Sequence, residues 1–143
     1  ALSRARWLWR CCLILPFLYI GFAAAVHHLL FAQKMPFGFW PMGDKAYRGI
    51  LFAFCIIAVL AEAAILGLRY FFQKKLNEVR LIPIRASELY WQRTLWMLLC
   101  ADLVSGLGLI AFLLRADWMA LIVFCIVSYL LYIQAYPRGR FLE

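Results

Sequence analysis

Four long apolar runs constrain this chain's fold more than any other feature. They cover roughly residues 11–31, 50–72, 95–114 and 118–136. A helix needs about 20 mostly apolar residues to cross a hydrocarbon core of about 30 Å. The backbone has no water to bond inside that core, so such runs must fold as helices. The composition agrees, with 67% hydrophobic residues, 15% charged residues and a mean hydropathy of +0.85. An ordinary soluble domain is about 45–50% apolar and about 25% charged. These values exclude a soluble enzyme, a disordered tail and a coiled coil. The expected fold is an all-α integral membrane protein with four transmembrane helices in an antiparallel bundle. The segments between the runs are too short to bury a core of their own. Residues 1–143 are therefore expected to form a single membrane domain, with an outer interfacial loop near 33–48 and a cytoplasmic loop near 73–93.

The first run needs separate argument. Arg4, Arg6 and Arg10 precede it, and Ala23-Ala24-Ala25 lies within it, the outline of a secretory signal peptide. The run continues to Phe31, beyond the usual length of such a segment, so a true span is expected. Pro16 interrupts it and removes the backbone donor for the Cys12 carbonyl, which predicts a kink.

Charge placement sets the expected orientation, because Lys and Arg accumulate in cytoplasmic loops. Arg4, Arg6, Arg10, Arg69, Lys74, Lys75, Arg80, Arg85, Arg93, Arg138 and Arg140 fall on one side, eleven of the 15 basic residues. Lys34, Lys45, Arg48 and Arg115 fall on the other. Both termini are expected in the cytoplasm, and the compact loops suit a bacterial inner membrane. Trp7, Trp9, Trp91 and Trp96 fall at the cytoplasmic ends of the runs and Trp40 and Trp118 at the outer ends, where amphipathic rings belong. The net charge of +8 then marks topology and attraction to anionic lipid, with Lys74, Lys75, Arg80 and Arg85 as headgroup contacts. No extended basic arm suggests nucleic acid.

The outer loop holds Pro36, Phe37, Phe39, Trp40 and Pro41. It is too apolar for a freely solvated linker and is expected to lie in the interface or against a partner subunit. In the inner loop, Pro83 is expected to stop an extension of the second helix, and Ser87 fits an N-cap. Arg115-Ala116-Asp117 forms a tight turn, and Asp117 fits a cap for the fourth helix. So short a connection makes the last two helices antiparallel neighbours.

The five cysteines are odd in number and mostly within spans, so no disulfide framework is expected. They read as small hydrophobes. Vicinal Cys11-Cys12 is the weaker candidate for a soft metal. His27 and His28 sit near the outer end of the first run. A bis-histidine haem needs an imidazole from a facing helix, and no other run contains one. The pair is a possible ligand only within a larger assembly, and no cofactor or metal is expected for the chain itself.

Glu62 and Asp102 are the most informative residues. An ionisable group at mid-bilayer costs at least about 2.5–3.5 kcal/mol and is a functional hypothesis by default. Helical rise places both within about 5 Å of the midplane on the same side, with Ser128 near that level and Ser105 one turn from Asp102. They are expected to face the bundle interior or a protein partner. Small residues at i,i+4, Ala63/Gly67 and Ala101/Ser105, suit close helix approach. Three roles compete for the acids. They are protonated packing groups bonded to Ser, Tyr or carbonyls, or a proton or cation site in which two close carboxyls share a charge, or contacts to another subunit. With no catalytic constellation and no nucleotide-binding loop, an enzyme is not expected. The expected function is a small multi-pass subunit that anchors, stabilises or assembles a larger membrane complex, with other membrane subunits and lipid as partners. The alternative is a homo-oligomeric proton- or cation-coupled transporter or channel using Glu62 and Asp102.

Overall fold

The computed structural model describes residues 2–32, 34, 36–40, 42–78 and 83–136. Among them the chain is helical, with no strand. Helix α1 is Leu2–Val26, α2 is Asp44–Glu78, α3 is Pro83–Arg115 and α4 is Trp118–Gln134. Three stretches are long and apolar enough to cross a membrane, namely Ser3–Phe31, Asp44–Glu78 and Ile84–Arg115. The 17 residues of α4 rise about 25 Å, short of a hydrocarbon core of about 30 Å. The helices also outrun the apolar segments. Much of the expected loop near 73–93 is helical, since α2 runs to Glu78 and α3 already starts at Pro83. Proline suits the first helical position, where no N–H is needed. Ser87 therefore lies inside α3 rather than capping it, and its hydroxyl donates to the Ile84 carbonyl at 2.8 Å.

Helix α3 touches each of the other three helices. Its small residues decide how closely α4 approaches. Ala101, Ser105 and Ala111 are fully buried, and a Cβ on Gly108 would lie 2.7 Å from the Phe124 Cβ. The Ser128 hydroxyl donates to the Ala101 carbonyl at 2.6 Å. Position numbers rise on α4 as they fall on α3, so the pair is antiparallel. The connection is two residues long. Ala116 takes a left-handed φ of 57°, and its N–H closes on the Phe112 carbonyl at 2.6 Å. Asp117 then caps α4 by accepting from the Ala120 N–H at 3.1 Å.

Helix α1 continues through Pro16, which is buried, into a π-helical turn, His27–Phe31. Three side chains tie it to α3 and α4. The Trp9 indole donates to the Tyr132 carbonyl at 2.7 Å, Tyr19 bonds Asp102, and the Tyr129 hydroxyl donates to the Leu13 carbonyl at 3.0 Å. Leu13 is one residue from the carbonyl that Pro16 leaves without a helical donor, so a neighbouring hydroxyl serves the disturbed turn.

The loop after α1 folds onto the end of α3. Phe39 and Trp40 N–H groups donate to the Leu113 and Leu114 carbonyls at 2.9 and 3.1 Å. Those carbonyls belong to the last turn, which has no intrahelical donors. Gly38 makes this possible with φ 84°, its would-be Cβ only 2.6 Å from the Leu114 oxygen. Beside it, Arg115 pairs with Asp44 and lies over the Tyr47 ring, while the Tyr47 hydroxyl donates to Asp117 at 2.7 Å.

Helix α2 has two faces of the same periodicity. Tyr47, Ala58, Ala61, Ile65, Phe72 and Leu76 are buried, with Leu51 and Phe54 packed between them. On the opposite side Gly49, Ala53, Ile56, Leu60, Ala63 and Gly67 are all exposed.

Candidate functional site

Asp102 lies where α1, α3 and α4 meet. The Tyr19 hydroxyl from α1 lies 3.1 and 3.2 Å from the two carboxylate oxygens, so its one proton is shared between them. Tyr132 from α4 donates to Oδ1 at 3.4 Å. Ser105, one turn on, is 3.4 Å from the same oxygen but closer, at 2.9 Å, to the Asp102 backbone carbonyl. A serine has one proton, and the shorter contact takes it. Asp102 is therefore held chiefly by two phenols, one from each neighbouring helix. No cation reaches it, since the one ion pair among the described residues is Arg115–Asp44.

Glu62 has different company. Its Oε1 accepts from the Gln134 amide at 2.9 Å. It also lines an open groove of about 340 Å³ between α2 and α4, with Cys55, Ala58, Val59, Val123, Phe124 and Val127. The two acids thus bond Tyr132 and Gln134, two positions apart on α4. Two residues turn a helix by about 200°, so the acids approach opposite sides of α4. They have no common partner. Ser128, expected beside them, bonds the Ala101 carbonyl instead.

The remaining candidates are dispersed. His27 is partly buried. Its Nδ1 has no hydrogen-bond partner, and its ring meets Trp118 edge-on at 5.6 Å. His28 is exposed. In the loop, Phe37 and Trp40 are 70% and 66% exposed, so their rings are free although the Trp40 backbone is anchored. Phe39 packs its ring on Phe31 at 5.1 Å, Pro36 is exposed, and Pro41 lies outside the described residues. Lys74, Lys75 and Arg85 are exposed, and Lys75 sits over the Phe71 ring at 4.5 Å. Arg80 lies outside the described residues. All five cysteines are free thiols.

The residues missed from the sequence are Tyr19 and Gln134. Both are polar groups in or at the edge of an apolar run, the signal that singled out the acids. Tyr132 lies one turn beyond Ser128 in the fourth apolar run, and its bond to Asp102 depends on how the helices are rotated. No protein-family model matches the chain, and no curated protein or solved structure is significantly similar to it.

Proposed function

We propose that the chain is a small multi-pass membrane subunit, with both termini cytoplasmic and α4 as a short fourth span, that helps to assemble a larger membrane complex. The observation that carries this reading is the second face of α2. Gly49, Ala53, Ile56, Leu60, Ala63 and Gly67 follow one another at alternating spacings of four and three, and all are exposed. This is the repeat that lets a second helix lie alongside. Small residues on it permit close backbone approach, and a Cβ on Gly67 would meet nothing within 4 Å. The same two small-residue pairs recognised in the sequence diverge here. Ala101/Ser105 packs within the chain, whereas Ala63/Gly67 is left for something outside it. Glu62 lies on the other side of α2, beside an apolar groove that the chain leaves open between α2 and α4. A partner helix there would shield it from lipid, where an ionisable group is costly.

Replacing Gly67 with Leu tests this. Within the chain it fills open space, so helicity and thermal stability are expected to be unchanged. In native membranes, co-purification of partner subunits is expected to fall several-fold. Full retention of partners by G67L together with Ala63→Leu would sink the proposal. A proton- or cation-coupled transporter remains the rival class. It predicts that Glu62→Gln or Asp102→Asn abolishes pH-dependent flux in vesicles with assembly intact.

A further inference from the structure

The end of the molecule far from the Ala116 turn holds a second cavity. Arg4 from α1 and Ser87, Glu88, Trp91 and Gln92 from α3 line a cleft of about 660 Å³. Behind it, Ala5, Leu76, Ala86 and Tyr90 form a small buried cluster in which α1, α2 and α3 meet. Trp91, which lines the cleft, also packs against this cluster. The cleft's volume falls in the range of ligand clefts, about 300–1,000 Å³.

Depth narrows the choice of ligand. With Arg115 at one hydrocarbon boundary, a core of about 30 Å ends some 20 residues back along α3, near Leu95. Trp91 and Gln92 then lie about 5 Å past that boundary, and Ser87 and Glu88 about 11 Å past it. This is the headgroup layer and its water-facing edge. Trp91 in this layer and the exposed Trp96 about 7 Å deeper, at the boundary itself, bracket the interface where such rings belong.

Charge narrows it further. Arg4 and Glu88 line one cleft, yet neither forms an ion pair, since Arg115–Asp44 is the one pair among the described residues. The Ser87 proton is committed to the Ile84 carbonyl, which leaves its oxygen as an acceptor. The cleft therefore offers guanidinium and amide donors for a phosphate, and a carboxylate and a hydroxyl oxygen for a group rich in N–H. Arginine matches phosphate through its planar fork. A primary ammonium brings three donors, whereas a quaternary ammonium brings none. A glycerol headgroup brings no cation for Glu88, and a serine headgroup adds a carboxylate that Glu88 repels.

We propose that this cleft binds the zwitterionic phosphoethanolamine headgroup of a membrane phospholipid. The ammonium lies at Glu88 and Ser87 and the phosphate at Arg4 and Gln92, with the acyl chains passing Trp91 into the bilayer.

The test uses the full chain in vesicles containing equal parts of ethanolamine, choline and glycerol phospholipids. After mild extraction, the lipids retained on the protein are counted by native mass spectrometry. The wild type is expected to retain the ethanolamine lipid about two- to fivefold over the other two, as partly exposed charge pairs allow. Glu88→Gln is expected to abolish the preference over choline while leaving total lipid unchanged, and Arg4→Gln to lower retention of all three. Gln73→Ala, outside the cleft, should keep the wild-type pattern. Equal retention of the three lipids by the wild type, or an undiminished preference in E88Q, overturns the proposal. Binding of soluble phosphoethanolamine without any preference among the bilayer lipids overturns it as well, because the ligand would then be a free metabolite.

Discussion

Replacing Gly38 with alanine should detach the loop that closes the end of α3. At φ 84° an L side chain costs about 1–2 kcal/mol. The added Cβ would stand 2.6 Å from the Leu114 oxygen and 2.7 Å from both Arg115 Cα and N. These are backbone atoms of a helix end and cannot swing aside. Ordinary contact starts near 3.4 Å, so the loop must retreat by about 0.8 Å. The Phe39 and Trp40 hydrogen bonds to Leu113 and Leu114 are 2.9 and 3.1 Å long and do not survive that retreat at good geometry. Each contributes about 0.5–1.5 kcal/mol. Strain and lost bonds together give roughly 2–5 kcal/mol. The assay is equilibrium unfolding in mixed micelles, with amide exchange at Phe39 and Trp40 as the local readout. Gly43→Ala is the matched control, since a Cβ there meets nothing within 4 Å. Gly38→Ala should lose stability and exchange those two amides faster, and Gly43→Ala should do neither. Equal stability of the two variants, within about 0.5 kcal/mol, would refute the geometry.

Four further outcomes follow from the same packing. Ala116→Gly should stabilise the protein by about 1 kcal/mol, because glycine adopts φ 57° freely; thermal unfolding in detergent checks this, and a loss would contradict it. Gly108→Ala should cost about 1–3 kcal/mol through overpacking against Phe124, measured by the same unfolding assay. Asp102→Leu leaves the Tyr19 and Tyr132 hydroxyls without their acceptor and should cost about 1–3 kcal/mol more than Asp102→Asn, which keeps one carbonyl oxygen; similar losses for the two would show that the phenols do not depend on this residue. Ser128→Ala should cost about 0.6 kcal/mol and at most about 1.7, the range for hydrogen bonds between membrane helices.

The parts of this fold written in local sequence were legible. Apolar run length identified helices, Asp117 marked its cap, and the Ala101/Ser105 spacing marked the face against α4. The same apolar runs singled out Glu62 and Asp102 as ionisable groups far from any chain break. Rotation about the helix axes was not legible, because nothing local says which side of α4 each acid will meet. The chain settles that with Tyr132 on one side and Gln134 on the other. The loop over α3 was hidden for a similar reason. Its apolar aromatics suggested an interface, but its main role within the chain is carried by backbone N–H groups and by the space at Gly38. At Ser87 two local rules competed, and proline at the first helical position prevailed over serine as a cap.

The open face of α2 is the centre of the functional account, and one measurement addresses it directly. The chain is solubilised mildly from native membranes at its natural level, and the mass and composition of its particle are read by native mass spectrometry. A subunit held through the Gly49–Gly67 face should emerge in a particle with different membrane chains, and G67L should release it as a monomer. A wild-type particle containing only this chain, alone or as a closed homo-oligomer, would contradict the account.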